Sequence, residues 1–314
     1  MIFYILRRIV YAMPIALSVG LVCFLLVYIA PGDPISAIAP VDAPADLIVQ
    51  LRQAYGLDKP LPEQFLIWLW HILHGDLGRS IATGRLVWDD VSIALRNTVY
   101  LAVAACTLAF VIGTMIGALA AAFRDTWIDR VAMIVALTGV SIPHYWLGML
   151  LVAVFSVTFN IFPSMGAGPG GSFVWDSEHL KFLILPMVTL SAIPLGLVAR
   201  TVRGTVIEIL HQEFITTLRG KGMRRREIFL HVAKNAAPAV IAVMGLQLGY
   251  LMGGSILVET VFSWPGTGFL LNSAIFQRDI PLLQGTILVL ALLFVALNLA
   301  VDVGQAMLDP RIKR

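Results

Sequence analysis

The residues that could do chemistry are few, and their spacing suits none of the common reactions. Gly220-Lys221 is the only Gly-Lys pair, and the rest of a G-x-x-x-x-G-K-[ST] loop is missing around it. No backbone cradle for nucleotide phosphates is therefore expected. H-E-x-x-H, G-x-S-x-G and Cys/His clusters are absent from the sequence as well. Cys23 and Cys106 stand far apart in apolar stretches, where cysteine serves as a small hydrophobe rather than a metal ligand or disulfide partner. His144 follows Pro143 inside an apolar run, a setting that suits a structural histidine better than a proton relay. Glu259 and Asp302 fall at the ends of apolar runs. A charge there escapes the penalty of about 2.5–3.5 kcal/mol assigned to the bilayer centre. The reading is no catalytic residue, no metal site and no cofactor bound by this chain.

The elements around these residues explain the scarcity. Of 314 residues, 59% are hydrophobic and 13% charged, against about 25% charged in soluble domains. A membrane-spanning helix needs about 20 apolar residues. Six stretches approach or exceed that length: 9–30, 97–123, 131–162, 182–199, 235–258 and 280–301. The fourth is short and contains Pro186 and Pro194, which points to a helix packed by protein rather than bathed in lipid. The first resembles a secretory signal, with Arg7 and Arg8 before it. Its core of about 22 residues is too long for one, and Tyr28-Ile29-Ala30-Pro31 is a poor cleavage site, so an uncleaved helix is expected. The net charge of +3 could suggest nucleic acid, but the placement of the basic residues follows the membrane instead. Fifteen Lys and Arg lie before the first stretch, in the loops 124–130 and 200–234, and after the last; seven lie on the other side, five of them in one long loop. The basic side is then cytoplasmic, with both termini inside.

Three pieces follow: residues 1–30, a first transmembrane helix; 31–96, an extracytoplasmic insertion; and 97–314, a five-helix core containing the cytoplasmic loop 201–235. The insertion begins Pro31-Gly32-Asp33-Pro34 and continues to an apolar run over 65–73 with Trp68 and Trp70. That run reads as a helix capping the outer mouth or lying in the interface, where Trp is favoured. In the inner loop, Ile207, Leu210, Phe214 and Leu218 recur at helical spacing and predict an amphipathic helix over 206–221. Gly220 and Gly222 end it, and a second helix starts at Arg224, with Ile228, Phe229 and Val232 on one side. A basic loop stays inside for topological reasons alone, but two helices around a Gly-x-Gly corner also make a knob for a partner's groove. Gly245, Gly249 and Gly253, like Gly113 and Gly117, recur every four residues and let helices approach closely.

Read in order, several short motifs resemble those of a known family. Ala30-Pro31-Gly32-Asp33-Pro34 closes the first stretch, and Gly56-Leu57-Asp58-Lys59-Pro60-Leu61-Pro62 follows. Gly75-Asp76-Leu77-Gly78-Arg79-Ser80 and Arg96-Asn97-Thr98 precede the second. Arg219-Gly220-Lys221-Gly222 lies in the inner loop, with Asn235-Ala236 and Pro238 beyond. Glu259-Thr260-Val261-Phe262-Ser263-Trp264-Pro265-Gly266 and Asp309-Pro310-Arg311 complete the set. Singly these are weak, but together and in order they are specific. The chain resembles the permease subunit of a bacterial ABC importer of the dipeptide/oligopeptide class, and more narrowly the first of that class's two permease subunits.

The resemblance implies an all-α integral membrane protein of the cell membrane with six transmembrane helices, the type I importer permease fold and an insertion after the first helix. It implies that Phe214, Ile215, Thr216, Thr217, Leu218, Arg219, Gly220, Lys221, Gly222 and Met223 form a coupling segment, turning at Gly222 and seated in a groove of a cytoplasmic ATPase. Thr216-Thr217-Leu218 stand where importers in general have Glu-Ala-Ala, which leaves the individual contacts open. Implied partners are a homologous second permease, two ATPase subunits carrying the ATP and Mg, and an extracytoplasmic solute-binding protein that the insertion helps to receive. Lipid surrounds the chain, and nucleic acid is not a partner. Gly245, Gly249, Gly253, Glu259, Phe262, Trp264 and Pro265 are the candidates for pathway wall and outer gate. A partner-free channel or secondary carrier, and a scaffold that transports nothing, are the competing classes. The first does not account for a structured basic loop; assembly with partners but no uptake phenotype would favour the second.

Overall fold

A computed structural model describes residues 2–29, 44–54 and 58–308. Ala30-Pro31-Gly32-Asp33-Pro34, Gly56-Leu57, Asp309-Pro310-Arg311, Lys313, Arg314 and the side chain of Asp302 lie outside the described residues. Among those described, the regular structure is helical, apart from an isolated bridge between Arg79 and Leu86. Four helices are long and apolar enough to cross a membrane: Val87–Ala122, His179–Leu210, Arg225–Gly253 and Ile280–Val301. A bent pair, Trp127–Ser141 with His144–Thr158, makes a fifth if counted as one span, and the first helix, Ile2–Ile29, carries a described apolar stretch over Met13–Leu25. The chain divides into two compact units, one of residues 1–97 with 265–295, the other of 98–264 with 296–314.

The first unit contains α1 (Ile2–Ile29), α2 (Ala45–Ala54), α3 (Leu61–Leu73), the start of α4 (Val87–Ala122), α11 (Thr267–Gln277) and most of α12 (Ile280–Leu308). The apolar run at 65–73 is helical as expected. On α3, Phe65 meets Phe24 of α1 edge-on and Trp68 meets it tilted, with centroids 5.4 and 5.8 Å away. Trp68 also approaches Gly20, where a side chain would touch the ring at 3.7 Å. Gln284 of α12 donates to the Cys23 carbonyl at 2.8 Å. α11 ends at Arg278 in the left-handed conformation (φ 54°), and Asp279 then caps α12. The Asp279 carboxylate accepts from Leu282 N–H, from Ser80 Oγ at 2.5 Å, and from the Ile81 and Ala82 N–H groups at 3.2 Å each. The Gly75–Ser80 motif is thereby fastened to the beginning of α12. Cys23 and, in the other unit, Cys106 are buried, as their surroundings predict.

The second unit is arranged around α7 (His179–Leu210). Pro186 and Pro194 lie within a continuous helix, and α7 is the most buried of the four long spans. This matches the expectation of a protein-packed helix, since neighbours shield the backbone groups that proline leaves unpaired. Its contacts form constant registers. A side chain at Gly113 or Gly117 of α4 would strike the Leu195 or Ala199 carbonyl, at 2.8 and 2.4 Å. Both pairs are offset by the same number of residues, so α4 and α7 run parallel with touching backbones. On α5 (Trp127–Ser141) the Ala136 carbonyl lies 2.4 Å from a Cβ built at Gly196, and Gly139 faces the Ala192 carbonyl at 2.9 Å. Here one number rises as the other falls, so α5 and α7 are antiparallel. Val202 of α7 packs with Val240 of α9 (Arg225–Gly254) in one apolar cluster, and Ile209 with Ile228 in another. The glycines are needed because no other residue allows backbones this close.

Three expectations need correction. The stretch 131–162 is not one straight span. α5 stops at Ser141 and α6 (His144–Leu151) restarts after Pro143, with a bend of 103° across the break. Pro143 has no N–H to donate and holds Ile142 extended (φ −90°, ψ 129°), so the helix cannot pass through. α6 then widens into a π-helix over Val152–Thr158. The predicted helix over 206–221 is two helices, α7 ending at Leu210 and α8 (Glu213–Gly220), separated by His211 and Gln212. The stretch 235–258 is interrupted at Ser255, beyond which α10 (Ile256–Val261) begins.

Candidate functional site

The strongest candidate site is α8 with the turn that follows it. Gln212 is extended (φ −73°, ψ 147°) and turns the chain sharply out of α7. Ile215 is fully buried, in an apolar cluster with Ile209 of α7 and Ile228, Val232 and Ala236 of α9. Phe214, Leu218 and Met223 are half-buried around it. The opposite face presents Glu213, Thr216, Thr217, Arg219, Gly220, Lys221 and Gly222 to solvent. One apolar side chain thus anchors a short helix that offers small, polar and basic groups outward.

The turn is closed by backbone bonds. Met223 N–H donates to the Leu218 carbonyl at 3.2 Å and Gly222 N–H to Arg219 at 3.0 Å, the Schellman pattern. It requires a left-handed residue after the cap, and Gly222 supplies it with φ 74°. No atom lies within 4 Å of a Cβ built there, so glycine is required for conformation, not for space. Glu227 then accepts the Arg224 N–H at 2.7 Å, one half of a capping box that starts α9. Gly220, read as a helix breaker, is the last residue of α8, and Gly222 makes the turn.

The pathway candidates separate into different roles. Gly245 packs against Val301 of α12, with a would-be Cβ 2.4 Å from its Cγ1; Gly249 is buried; Gly253 faces open space. Their shared period does not make one contact. Glu259 corrects the sequence reading: it is fully buried, not exposed at a span end, and its carboxylate accepts from Thr98 Oγ1 at 2.8 Å. Hydrogen bonding takes the place of solvent around this carboxyl group. Phe262 and Trp264 are also buried. Trp264 N–H donates to the Glu259 carbonyl at 2.8 Å, across a left-handed Ser263 (φ 47°). The Trp264 ring lies 5.4 Å from Phe173, which in turn contacts Tyr100 and Trp175. Pro265 offers its carbonyl to Asn97 Nδ2 at 2.8 Å.

Two buried polar junctions escaped the sequence reading. One is Asp279 with Ser80. The other joins Asp129 of α5 to Arg203 of α7 by two N–H···O bonds of 2.6 and 2.7 Å. A further pair tightens the loop before α7. Asp176 accepts the His179 backbone N–H and ring Nδ1 at 2.8 Å, and these bonds hold its carboxyl below the usual carboxylate range. His144 is half-buried at the start of α6, with Nδ1 making no hydrogen bond within the chain.

Comparison with known proteins gives a class to these long apolar helices and to the helix–turn–helix of α8 and α9. The structure resembles the inward-facing MetNI methionine ABC transporter, with a TM-score of 0.58 at 17% identity over 70% of this chain and 96% of that one, which establishes the type I importer permease fold. Residues 113–314 match the model of the binding-protein-dependent transport system inner membrane component, and residues 1–102 match that family's N-terminal membrane component. The chain belongs to this family. It is 38% identical to the glutathione transport system permease protein of Salmonella choleraesuis (strain SC-B67), over 100% of this chain and 99% of the other. It is 39% identical to a Brucella abortus (strain 2308) chain assigned as a peptide transport system permease protein, over 98% of both.

Proposed function

We propose that this chain is the first of two permease subunits in an ATP-driven importer of peptides or peptide-like solutes. The observation that carries the reading is α8: a short helix on an apolar mount, closed by a glycine turn, with its outer face exposed among the described residues. In this reading α8, from Phe214 to Met223, seats in a groove of a cytoplasmic ATPase. Two such ATPases bind ATP and Mg, a homologous permease completes the pathway, and an extracytoplasmic binding protein delivers the solute. Closure of the ATPases moves α8, and the bundle shifts between two packings. This chain forms no covalent bond with solute or nucleotide. The 31–96 insertion faces the binding protein. Gly245, Gly249 and Gly253 belong to the wall of the pathway, and Glu259, Phe262, Trp264 and Pro265 to its outer gate. Relatives named for glutathione and for peptides support the solute class.

The test is gentle solubilisation of the tagged chain from its native membrane, followed by identification of partners present in stoichiometric amounts. A second multi-span permease with P-loop ATPases is the expected result. Reconstituted with a binding protein, that complex takes up labelled glutathione or dipeptides only when ATP is supplied. Recovery of the chain alone after mild crosslinking, with uptake that ignores ATP, would favour a partner-free channel or carrier.

A further inference from the structure

Asp129 stands in the first turn of α5, buried to 5% side-chain exposure, and grips Arg203 of α7 through both carboxylate oxygens. Its Oδ2 also accepts the N–H of Asp125, which is held left-handed (φ 64°) in the short loop before α5. From that loop, Arg124 reaches His211 at 2.9 Å. His211 Nδ1 lies 2.7 Å from the Ile207 carbonyl, so the proton sits on Nδ1 and Nε2 accepts from Arg124. His211 is the cap of α7 and is separated from α8 by Gln212 alone.

These contacts continue a register already described. Asp129 pairs with Arg203, Ala136 meets Gly196, and Gly139 meets Ala192, along one antiparallel seam. The backbones come closest at the two glycines, where any side chain would clash with the facing carbonyl. The ion pair pins the end of the seam nearest α8, the end at which any push from α8 would arrive. α8 itself makes none of these contacts. It rests on α7 and α9 through Ile215.

We propose that Asp129 and Arg203 are positioning residues that carry displacement of α8, through α7, into α5 and the bent segment that follows it. This rests on the docking role proposed for α8. Arg suits the task because its planar fork holds a carboxylate in one orientation. Without the pair, α7 still moves with α8, but the inner end of α5 lags behind.

The test uses the whole complex in liposomes with its ATPases and binding protein. Labelled glutathione or dipeptide serves as probe, whichever the wild type imports, and the readout is ATP hydrolysed per solute taken up. In Asp129→Ala and Arg203→Ala the complex is expected at wild-type yield, with that ratio raised roughly tenfold, the scale of a typical coupling energy. The exchanged pair Asp129→Arg with Arg203→Asp restores the ratio to within about threefold of wild type. Single variants that keep the wild-type ratio would overturn the proposal. So would single variants that only reduce the amount of complex, with no recovery of the ratio in the exchanged pair. A wild-type complex without ATP-dependent uptake would remove the docking role of α8 itself, a failure seen before any variant is made.

Discussion

At Gly222 one torsion angle sets the turn after α8. Its φ of 74° closes the turn after α8, and the space around it is empty. Replacement therefore tests conformation alone. A β-branched residue held left-handed costs about 1–3 kcal/mol, whereas asparagine enters that region readily. Gly222→Val is expected to unseat the turn and cut ATP-driven uptake sharply while the bundle stays folded; Gly222→Asn keeps most of the uptake. Uptake normalised to purified complex distinguishes them, and equal activity in both variants would remove the turn from the coupling mechanism. Glu259 carries a different lesson at this scale. Its place at the end of an apolar run suggests an exposed charge, yet it is buried against Thr98, 161 positions away in sequence. A partner that distant leaves no mark in local spacing.

At the scale of elements, the close packing of α7 makes a sharp comparison possible. A Cβ at Gly117 would lie 2.4 Å from a backbone carbonyl that cannot yield, whereas at Gly204, on the same α7 that Gly117 faces, nothing lies within 4 Å. Gly117→Ala is expected to destabilise by about 1–3 kcal/mol through overpacking. Gly204→Ala is neutral or slightly stabilising, since alanine in a helix interior gains about 0.5–1 kcal/mol over glycine. Thermal unfolding in detergent reads both, and a Gly117→Ala midpoint equal to wild type would mean that the α4–α7 contact can open at no cost. Most of these elements are legible from the sequence, because apolar length and glycine period are local signals. The break at Pro143 is legible too, once Ile142 is recognised as barred from helix, but apolar length alone hides it. The split at His211–Gln212 is not, because the apolar period continues across it and only Gln212's extended backbone interrupts the helix. The Asp129–Arg203 and Ser80–Asp279 junctions were out of reach, since each joins single polar residues 74 or 199 positions apart.

For the molecule as a whole, the charge rule sets an orientation that can be tested directly. Thr83 lies in the loop read as extracytoplasmic and Thr217 on the face of α8 read as cytoplasmic; both are exposed. The two native cysteines are buried and give little background. Thr83→Cys is expected to react with a membrane-impermeant maleimide in intact cells, and Thr217→Cys only after the membrane is opened. The reverse pattern would invert the topology and place α8 out of reach of any cytoplasmic ATPase.

The clamp at Asp279 bears on the order in which the protein is made. Ser80, Ile81 and Ala82 emerge from the ribosome early, but the carboxylate that holds them is 199 residues behind Ser80. Until α12 has been made, the Gly75–Ser80 segment has only local bonds, such as Val87 N–H to the Gly78 carbonyl and Ser80 N–H to the Arg85 carbonyl. A chain truncated before Asp279 lacks the carboxylate that ties this segment to the start of α12. The junction therefore forms only in a chain made at least as far as the start of α12, however early the residues it holds were made.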